Sequence, residues 1–170
     1  TLDDWRTSIE VNLWGNIQAI QRFLPGMVKQ GQGHIVSIAS GGGLFGLPHT
    51  APYTAAKFAL VGLCESLGVE LAKEGVHVSA VCPSWMKTGF LESSRVAVKT
   101  SRDERTVRAS KWLYDRFAME PERAAEKVMR GIRKNRALIM IGFETYAAYY
   151  LKVFFPRLYR GVMSMVSRLM

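Results

Sequence analysis

Hydrophobic positions along the first half of the chain recur with two different periods. Between residues 3 and 24 the apolar side chains return every three or four positions and stop before Pro25, which predicts one helix or a kinked pair. Residues 34–39 form a short apolar run typical of a buried strand. Helical spacing returns from Pro52 to about Lys73, since proline is tolerated in a first turn.

The second half continues the alternation of helix and strand. Residues 76–82 predict a second strand, 84–100 predict a loop, and 101–118 predict a polar helix. Another helix is predicted over 121–134, with proline at its start and bases at its end, and a third strand over 137–141. Strands separated by helices of this length require right-handed crossovers and a parallel sheet, so the predicted fold class is α/β.

Composition favours one packed domain in a reducing compartment. With 170 residues, 48% of them hydrophobic, the chain can bury a core. The two cysteines, Cys64 and Cys82, occupy apolar stretches and are predicted to be buried and unpaired, which favours a cytoplasmic location. We expect no metal site, because neither cysteine has a CxxC partner and the histidines are scattered, at positions 34, 49 and 77.

Basic residues are concentrated in the second half. Residues 1–91 hold as many bases as acids, so the net charge of +9 belongs entirely to residues 92–170. This excess predicts either a solvated basic surface or an anionic partner, such as a membrane face or a phosphorylated substrate. We expect no nucleic-acid partner.

A glycine-rich segment over 41–46 satisfies the G-x-G-x-x-G pattern of dinucleotide-binding loops. In that fingerprint the helix begins inside the motif, whereas residues 47–52 delay the helix here. Glu65, at the distance of the usual ribose-binding acid, lies in the middle of a predicted helix. We interpret the glycines as keeping a loop low and mobile beside a ligand, with phosphate binding as the alternative.

Tyr53 and Lys57 are four residues apart at the start of a predicted helix, so they share one face. A neighbouring ammonium favours the phenolate form and is expected to lower the pKa of Tyr53 toward the working range of a proton-transfer group. Ser40 ends the first predicted strand, where open α/β sheets place their ligands. Its hydroxyl can either stabilise a developing oxyanion or cap the turn after the strand.

Ser40, twelve intervening residues, Tyr53, three more and Lys57 resemble the active site of short-chain dehydrogenases/reductases. Asn12, within Val-Asn-Leu-Trp-Gly, is similar to the family's catalytic asparagine. The segment 83–88 is similar to its nicotinamide-binding Pro-Gly-x-x-x-Thr loop. The resemblance extends over residues 1–142 and implies the last three strands of a Rossmann-like, doubly wound parallel sheet, with their helices.

The resemblance implies a role for each matching residue. Tyr53 would be the general acid/base, Lys57 would lower its pKa and hold the nicotinamide ribose, and Ser40 would orient the substrate carbonyl. Asn12 would hold a water molecule linking Lys57 to solvent, with kinking of its own helix as the alternative role. The cofactor would be NAD or NADP, contacted by Tyr53, Lys57, Pro83, Met86 and Thr88.

Two departures from the family pattern matter. Ser84 replaces the glycine of the Pro-Gly loop, and the upstream Thr-Gly-x-x-x-Gly-x-Gly and Asn-Asn-Ala-Gly motifs are absent. Because the chain also lacks an initiator methionine, we expect it to be part of a longer one. The strand at 34–39 would then lack its other neighbour, and residues 1–170 alone are expected to be unstable, to bind cofactor poorly and to be inactive.

Residues 143–170 form a basic, aromatic extension beyond the family's usual ending. They contain no charge-free run long enough to span a bilayer. On a helical wheel one side holds bases and serines, and the opposite side holds Leu158, Tyr159, Val162, Met163, Met165, Val166 and Leu169. This pattern predicts an interfacial membrane helix within residues 145–170, a helix packed on another subunit, or a cover over the substrate pocket.

The sequence therefore predicts an oxidoreductase that transfers a hydride between a nicotinamide cofactor and a small-molecule alcohol or carbonyl, with a lipid- or steroid-like compound as candidate substrate. The alternative is a catalytically silent scaffold or binding protein on the same fold. We expect the full-length protein to be a cytoplasmic homo-oligomer, with peripheral attachment to a membrane as a further hypothesis.

Overall fold

A computed structural model describes residues 1–88, 114 and 118–169. Its centre is a parallel sheet of strands β1 (Gly33–Ile38), β2 (Val76–Pro83) and β3 (Leu138–Ile141), in the order β1-β2-β3. Ile38 pairs with Val81 and Pro83 pairs with Ile141, so all three carboxyl ends lie at one edge. The predicted α/β class, with three strands of a Rossmann-like sheet, is confirmed.

The chain begins with a long helical segment. Helix α1 (Leu2–Ile9) passes through a π-helical turn (Glu10–Trp14) into helix α2 (Gly15–Gln30), which ends at the left-handed Gly31, φ 65°. The predicted stop before Pro25 is wrong, because this proline lies inside α2. Two apolar residues beyond it continue the helical spacing and pack on the core, Met27 and Val28, and their burial offsets the hydrogen bond that proline removes.

Two hydrophobic clusters cover the two faces of the sheet. One contains residues of α2, of helix α3 (Ala51–Glu70) and of a 3-10 turn region beginning at Gly41–Gly43. The other contains residues of helix α4 (Pro121–Arg133). Alternate residues of each strand point to opposite faces, so the sheet is packed on both sides.

The C-terminal extension consists of helix α5 (Phe143–Phe154) and helix α6 (Pro156–Leu169). It packs on the same side of the sheet as α3, through half-buried side chains that include Ala148, Tyr149 and Tyr159. The predicted helix over 101–118 and most of the predicted loop over 84–100 lie outside the described residues. The other predicted elements are present, and apart from the end of α2 and the division of the C-terminal extension into two helices their ends differ from the predicted ones by up to three residues.

Candidate active site

Ser40 lies just beyond the carboxyl end of β1. It is the N-cap of the 3-10 turn, and its Oγ accepts a hydrogen bond from the backbone N–H of Gly42 at 3.1 Å. The capping role is therefore present in the structure. The same hydroxyl is also a hydrogen-bond partner of the Tyr53 side chain, so capping and contact with the phenol occur together.

Tyr53 lies in the first turn of α3 and is half-buried. Burial raises its pKa above the ordinary value of 10.0, while the hydrogen bond with Ser40 acts in the opposite direction. The sequence-based prediction that the pKa of Tyr53 is lowered is therefore wrong. Proximity of Lys57 along the helix does not by itself bring the ammonium close enough to overcome the desolvation of the phenol.

Lys57 is buried, with 8% of its surface exposed. Its Nζ donates a hydrogen bond to the carbonyl oxygen of Ile38 at 3.0 Å and lies 5.8 Å from the centre of the Tyr53 ring. Burial lowers the pKa of this ammonium. The last carbonyl of β1 thus anchors Lys57 behind the phenol, an acceptor that helical spacing alone could not have indicated.

Cys82, near the end of β2, adjoins the same group of side chains. The structure confirms that both cysteines are buried and free, as predicted. Burial raises the pKa of the Cys82 thiol to about 12, opposed by a backbone hydrogen bond from Ser40. Cys82 consequently stays uncharged at neutral pH and adds no anion beside Lys57.

The glycines after Ser40 form a buried turn packed on α3, so the loop lies low as we expected, and its mobility stays a prediction. A Cβ at Gly43 would lie 2.7 Å from the carbonyl oxygen of Lys57 and 2.9 Å from Cγ2 of Val61. A Cβ at Gly42 would lie 3.3 Å from the Tyr53 ring. Glycine is therefore needed here for close packing of the turn against the helix that carries Tyr53 and Lys57.

Asn12 lies in the π-helical turn between α1 and α2. Its side-chain Nδ2 donates a hydrogen bond to the backbone carbonyl oxygen of Ser8 at 3.0 Å, and its backbone carbonyl oxygen accepts one from Nδ2 of Asn16 at 3.2 Å. These contacts fit the structural role of supporting an irregular helix. Turns of this kind often occur at functional sites, so the water-holding role stays a prediction.

Of the predicted cofactor residues, Pro83 is the last residue of β2, and Met86 and Thr88 follow it. Met86 forms an isolated parallel β-bridge with Met119, and the backbone N–H of Thr88 donates a hydrogen bond to the hydroxyl oxygen of Tyr114 at 3.1 Å. Tyr114 also donates to the carbonyl oxygen of Met86. This tyrosine holds the loop in place, yet its position in the sequence gave no signal for that role.

The C-terminal helices contact the segment Leu44–His49, which joins Ser40 to α3. Lys152 donates from Nζ to the carbonyl oxygen of Leu44 at 2.6 Å, and Tyr159 donates from its hydroxyl to the carbonyl oxygen of Gly46 at 2.9 Å. His49 lies 3.3 Å from the Ser167 hydroxyl. The extension is therefore packed against the segment that connects Ser40 and Tyr53.

Metal sites and membrane-spanning helices can be assessed for residues 1–88, 114 and 118–169. In these residues no three histidine, cysteine or acidic side chains are grouped so that they could hold a metal ion. The helices formed by the same residues are all too short or too polar to cross a membrane.

Comparison with known sequences identifies the family. The sequence model described as short chain dehydrogenase matches residues 1–99. The chain belongs to this family. Human 17-beta-hydroxysteroid dehydrogenase type 1 is 35% identical over 135 residues, covering 74% of this chain and 41% of the human protein. The chain spans about half, or less, of the length of the curated relatives it matches.

Solved structures of the family have the same fold. A short chain dehydrogenase/reductase from Burkholderia phymatum in complex with NAD has a TM-score of 0.70 and 29% identity, covering 90% of this chain and 57% of that one. A variant of actinorhodin polyketide ketoreductase with NADPH has a TM-score of 0.64 and 33% identity, covering 81% of this chain and 56% of that one.

Proposed function

We propose that this chain supplies the proton-transfer half of an NAD- or NADP-dependent oxidoreductase that interconverts alcohols and carbonyls. The observation that carries the proposal is the grouping of Ser40, Tyr53 and Lys57 at the carboxyl end of β1. The Ser40 hydroxyl contacts the phenol, and the buried ammonium lies behind it. Membership of the short chain dehydrogenase family supports this assignment.

The residues present fit a nicotinamide nucleotide. In the described contacts Lys57 uses one of its three N–H donors, on Ile38, which leaves donors for ribose hydroxyls. Thr88 is exposed on a loop at the same edge of the sheet. We expect Tyr53, Lys57, Pro83, Met86 and Thr88 to contact the nicotinamide half. NAD or NADP, when bound, supplies or accepts the hydride.

Tyr53, Ser40 and Lys57 together handle the proton and the charge. In carbonyl reduction the Tyr53 hydroxyl gives its proton to the substrate oxygen, which becomes the alcohol oxygen, and a phenolate remains on Tyr53. The Ser40 hydroxyl hydrogen-bonds the substrate oxygen as negative charge develops on it. Lys57 stabilises the phenolate through its positive charge. In alcohol oxidation the phenolate takes the proton back.

An apolar carbonyl compound, lipid- or steroid-like, is the substrate class we propose. Support comes from the apolar side chains around the segment Leu44–His49 and from the names of two relatives, a hydroxysteroid dehydrogenase and a polyketide ketoreductase. We further propose that residues 1–170 alone are inactive and that the full-length protein is a cytoplasmic homo-oligomer.

Replacing Tyr53 by phenylalanine tests the proposed function. In an enzyme that also carries the cofactor-binding part, Tyr53→Phe should lower kcat about 100-fold or more, because general acid/base groups contribute factors of this size. Tyr150→Phe is the matched control, since it removes a hydroxyl from an exposed tyrosine of α5. Steady-state reduction of a panel of apolar ketones measures both variants. Full activity in Tyr53→Phe, or no turnover in the wild type, would contradict the proposal.

A further inference from the structure

Helix α5 has two faces with different surroundings. On its inner face Thr145 is completely buried, Tyr149 packs on the core, and Lys152 donates to Leu44. Its outer face presents a line of rings along the helix, which we call the aromatic row: Phe143, Tyr146, Tyr150 and Phe154. The inner face is occupied by the chain itself, and the outer face is turned to the surroundings.

The aromatic row is ordered and exposed. Tyr146 and Tyr150 stack with ring centres 6.5 Å apart, and Tyr150 and Phe154 stack at 5.9 Å. Phe143 is 83% exposed and Phe154 is 66% exposed. Phe155 and, in α6, Leu158 are also well exposed. A contiguous apolar surface of this kind marks a contact site more often than an isolated exposed side chain does.

A basic pocket adjoins one end of the aromatic row. It is a cavity of about 320 Å³ between α4, β3 and α5, lined by Phe143 and Tyr146 of the row. Of the described residues that line it, three are cations and none is acidic: Lys127, Arg130 and Arg136. Cationic side chains converging beside aromatic rings fit an anionic group attached to an apolar body.

The charge of the surrounding segment indicates the kind of partner. Residues 121–169 contain ten bases and three acids. A second copy of the chain, docked through the same surface, would bring two such cationic segments together and repel. An anionic lipid surface attracts them, and its interface is where phenylalanine and tyrosine rings partition.

We propose that the aromatic row and the basic pocket form one docking surface for an anionic phospholipid bilayer. The rings lie at the level of the headgroups, and the pocket receives a lipid phosphate. This changes the location of the membrane contact predicted from the sequence. Tyr159, on the apolar side of α6, packs on the segment Leu44–His49, whereas the rings of the outer face of α5 stay exposed, so the outer face of α5 makes the contact. The inference does not depend on the proposed reaction.

Vesicle sedimentation tests the proposal in a chain that carries the cofactor-binding part. We expect binding to vesicles of phosphatidylcholine with phosphatidylglycerol, weak binding to pure phosphatidylcholine, and release by high salt. Arg130→Gln with Arg136→Gln should lower the partition constant about 25-fold, near fivefold for each base. Phe154→Ser with Phe155→Ser should lower it about tenfold or more.

A matched variant and two further readouts give outcomes that decide against the proposal. Arg22→Gln with Lys29→Gln removes the same charge from exposed positions on α2 and should leave binding within twofold. Equal loss in this variant would show a general charge effect and overturn the proposal. The proposal would also be overturned if sedimentation velocity showed a dimer that Phe154→Ser with Phe155→Ser abolishes. Tight binding of inorganic phosphate without binding to vesicles would overturn it as well.

Discussion

The strand-helix-strand unit from β1 to β2 and the C-terminal helix pair differ in how they use polar and apolar side chains. In the first unit a lysine is buried among apolar residues, beside Tyr53 and Cys82. In the helix pair, aromatic side chains face outward beside cations. The first unit lies within the residues matched by the family model, and the helix pair lies beyond them.

Both arrangements cost free energy of folding, and this is what the comparison teaches. Burial of an ammonium group opposes folding unless it is compensated, and an exposed row of rings leaves apolar surface in water. Departures of this kind from the best packing are typical of functional sites. The buried ammonium of Lys57 indicates a role in chemistry inside the protein. The exposed aromatic row that begins at Phe143 indicates a contact with another molecule or surface.

The largest expected effect comes from removing the buried charge. Lys57→Met should lower kcat about 100-fold or more in the complete enzyme, because the phenolate of Tyr53 loses its stabilising cation. The free energy of unfolding should stay within about 1 kcal/mol or rise, since the desolvation cost disappears. Lys73→Met, at an exposed position after α3, is the control. If Lys57→Met lowered the free energy of unfolding as much as truncation of a core residue does, Lys57 would be a structural residue, and the contrast between the two regions would be lost.

Truncation of apolar side chains should affect the two regions unequally. Leu60 of α3 is fully buried, so Leu60→Ala should lower the free energy of unfolding by about 2–5 kcal/mol. Phe143→Ala, at an exposed position of α5, should change it by less than about 0.5 kcal/mol. Urea unfolding of the complete enzyme measures both. A loss above 2 kcal/mol in Phe143→Ala would show that the aromatic row is part of the core.

A smaller effect should appear in the pH dependence of stability. The thiol of Cys82 keeps its proton to a pKa of about 12 in the folded chain, against an ordinary value of 9.0. Its contribution is therefore present below pH 9 and is lost as the pH rises toward 12, on the order of 1 kcal/mol of it by pH 10. Urea unfolding of the complete enzyme at pH 8 and pH 10 measures the difference. If Cys82→Ala showed the same decrease in the free energy of unfolding between pH 8 and pH 10 as the wild type, the Cys82 thiol would not be its source.

Much of the fold could be predicted because its strands and helices have distinct hydrophobic periods. The three strands and the start of α3 followed directly from them. The error at Pro25 arose because local backbone chemistry was weighed without the tertiary contacts of Met27 and Val28, which outweigh it. The position of α6 against the segment Leu44–His49 is a long-range contact, which helical amphipathicity alone does not specify.

The candidate site was predictable as far as it depends on spacing along the chain. Ser40, Tyr53 and Lys57 lie near one sheet edge for that reason. Their environment was not predictable, since Ile38 and Cys82 are brought to Lys57 by the sheet and not by the helix. The direction of the Tyr53 pKa shift depends on burial, and the helical spacing indicated only the neighbouring charge.

A pH titration of Tyr53 tests most directly the claim that Ser40 and Tyr53 are hydrogen-bonded partners in one proton-transfer site. Carbon-13 NMR of the ring carbon that bears the hydroxyl, compared between the wild type and Ser40→Ala, reports its pKa, with Tyr53→Phe assigning the signal. We predict a pKa above 10.0 in the wild type and a higher one in Ser40→Ala, because the hydrogen bond from Ser40 favours the phenolate. A pKa at or below 10.0, or one unchanged by Ser40→Ala, would contradict the account.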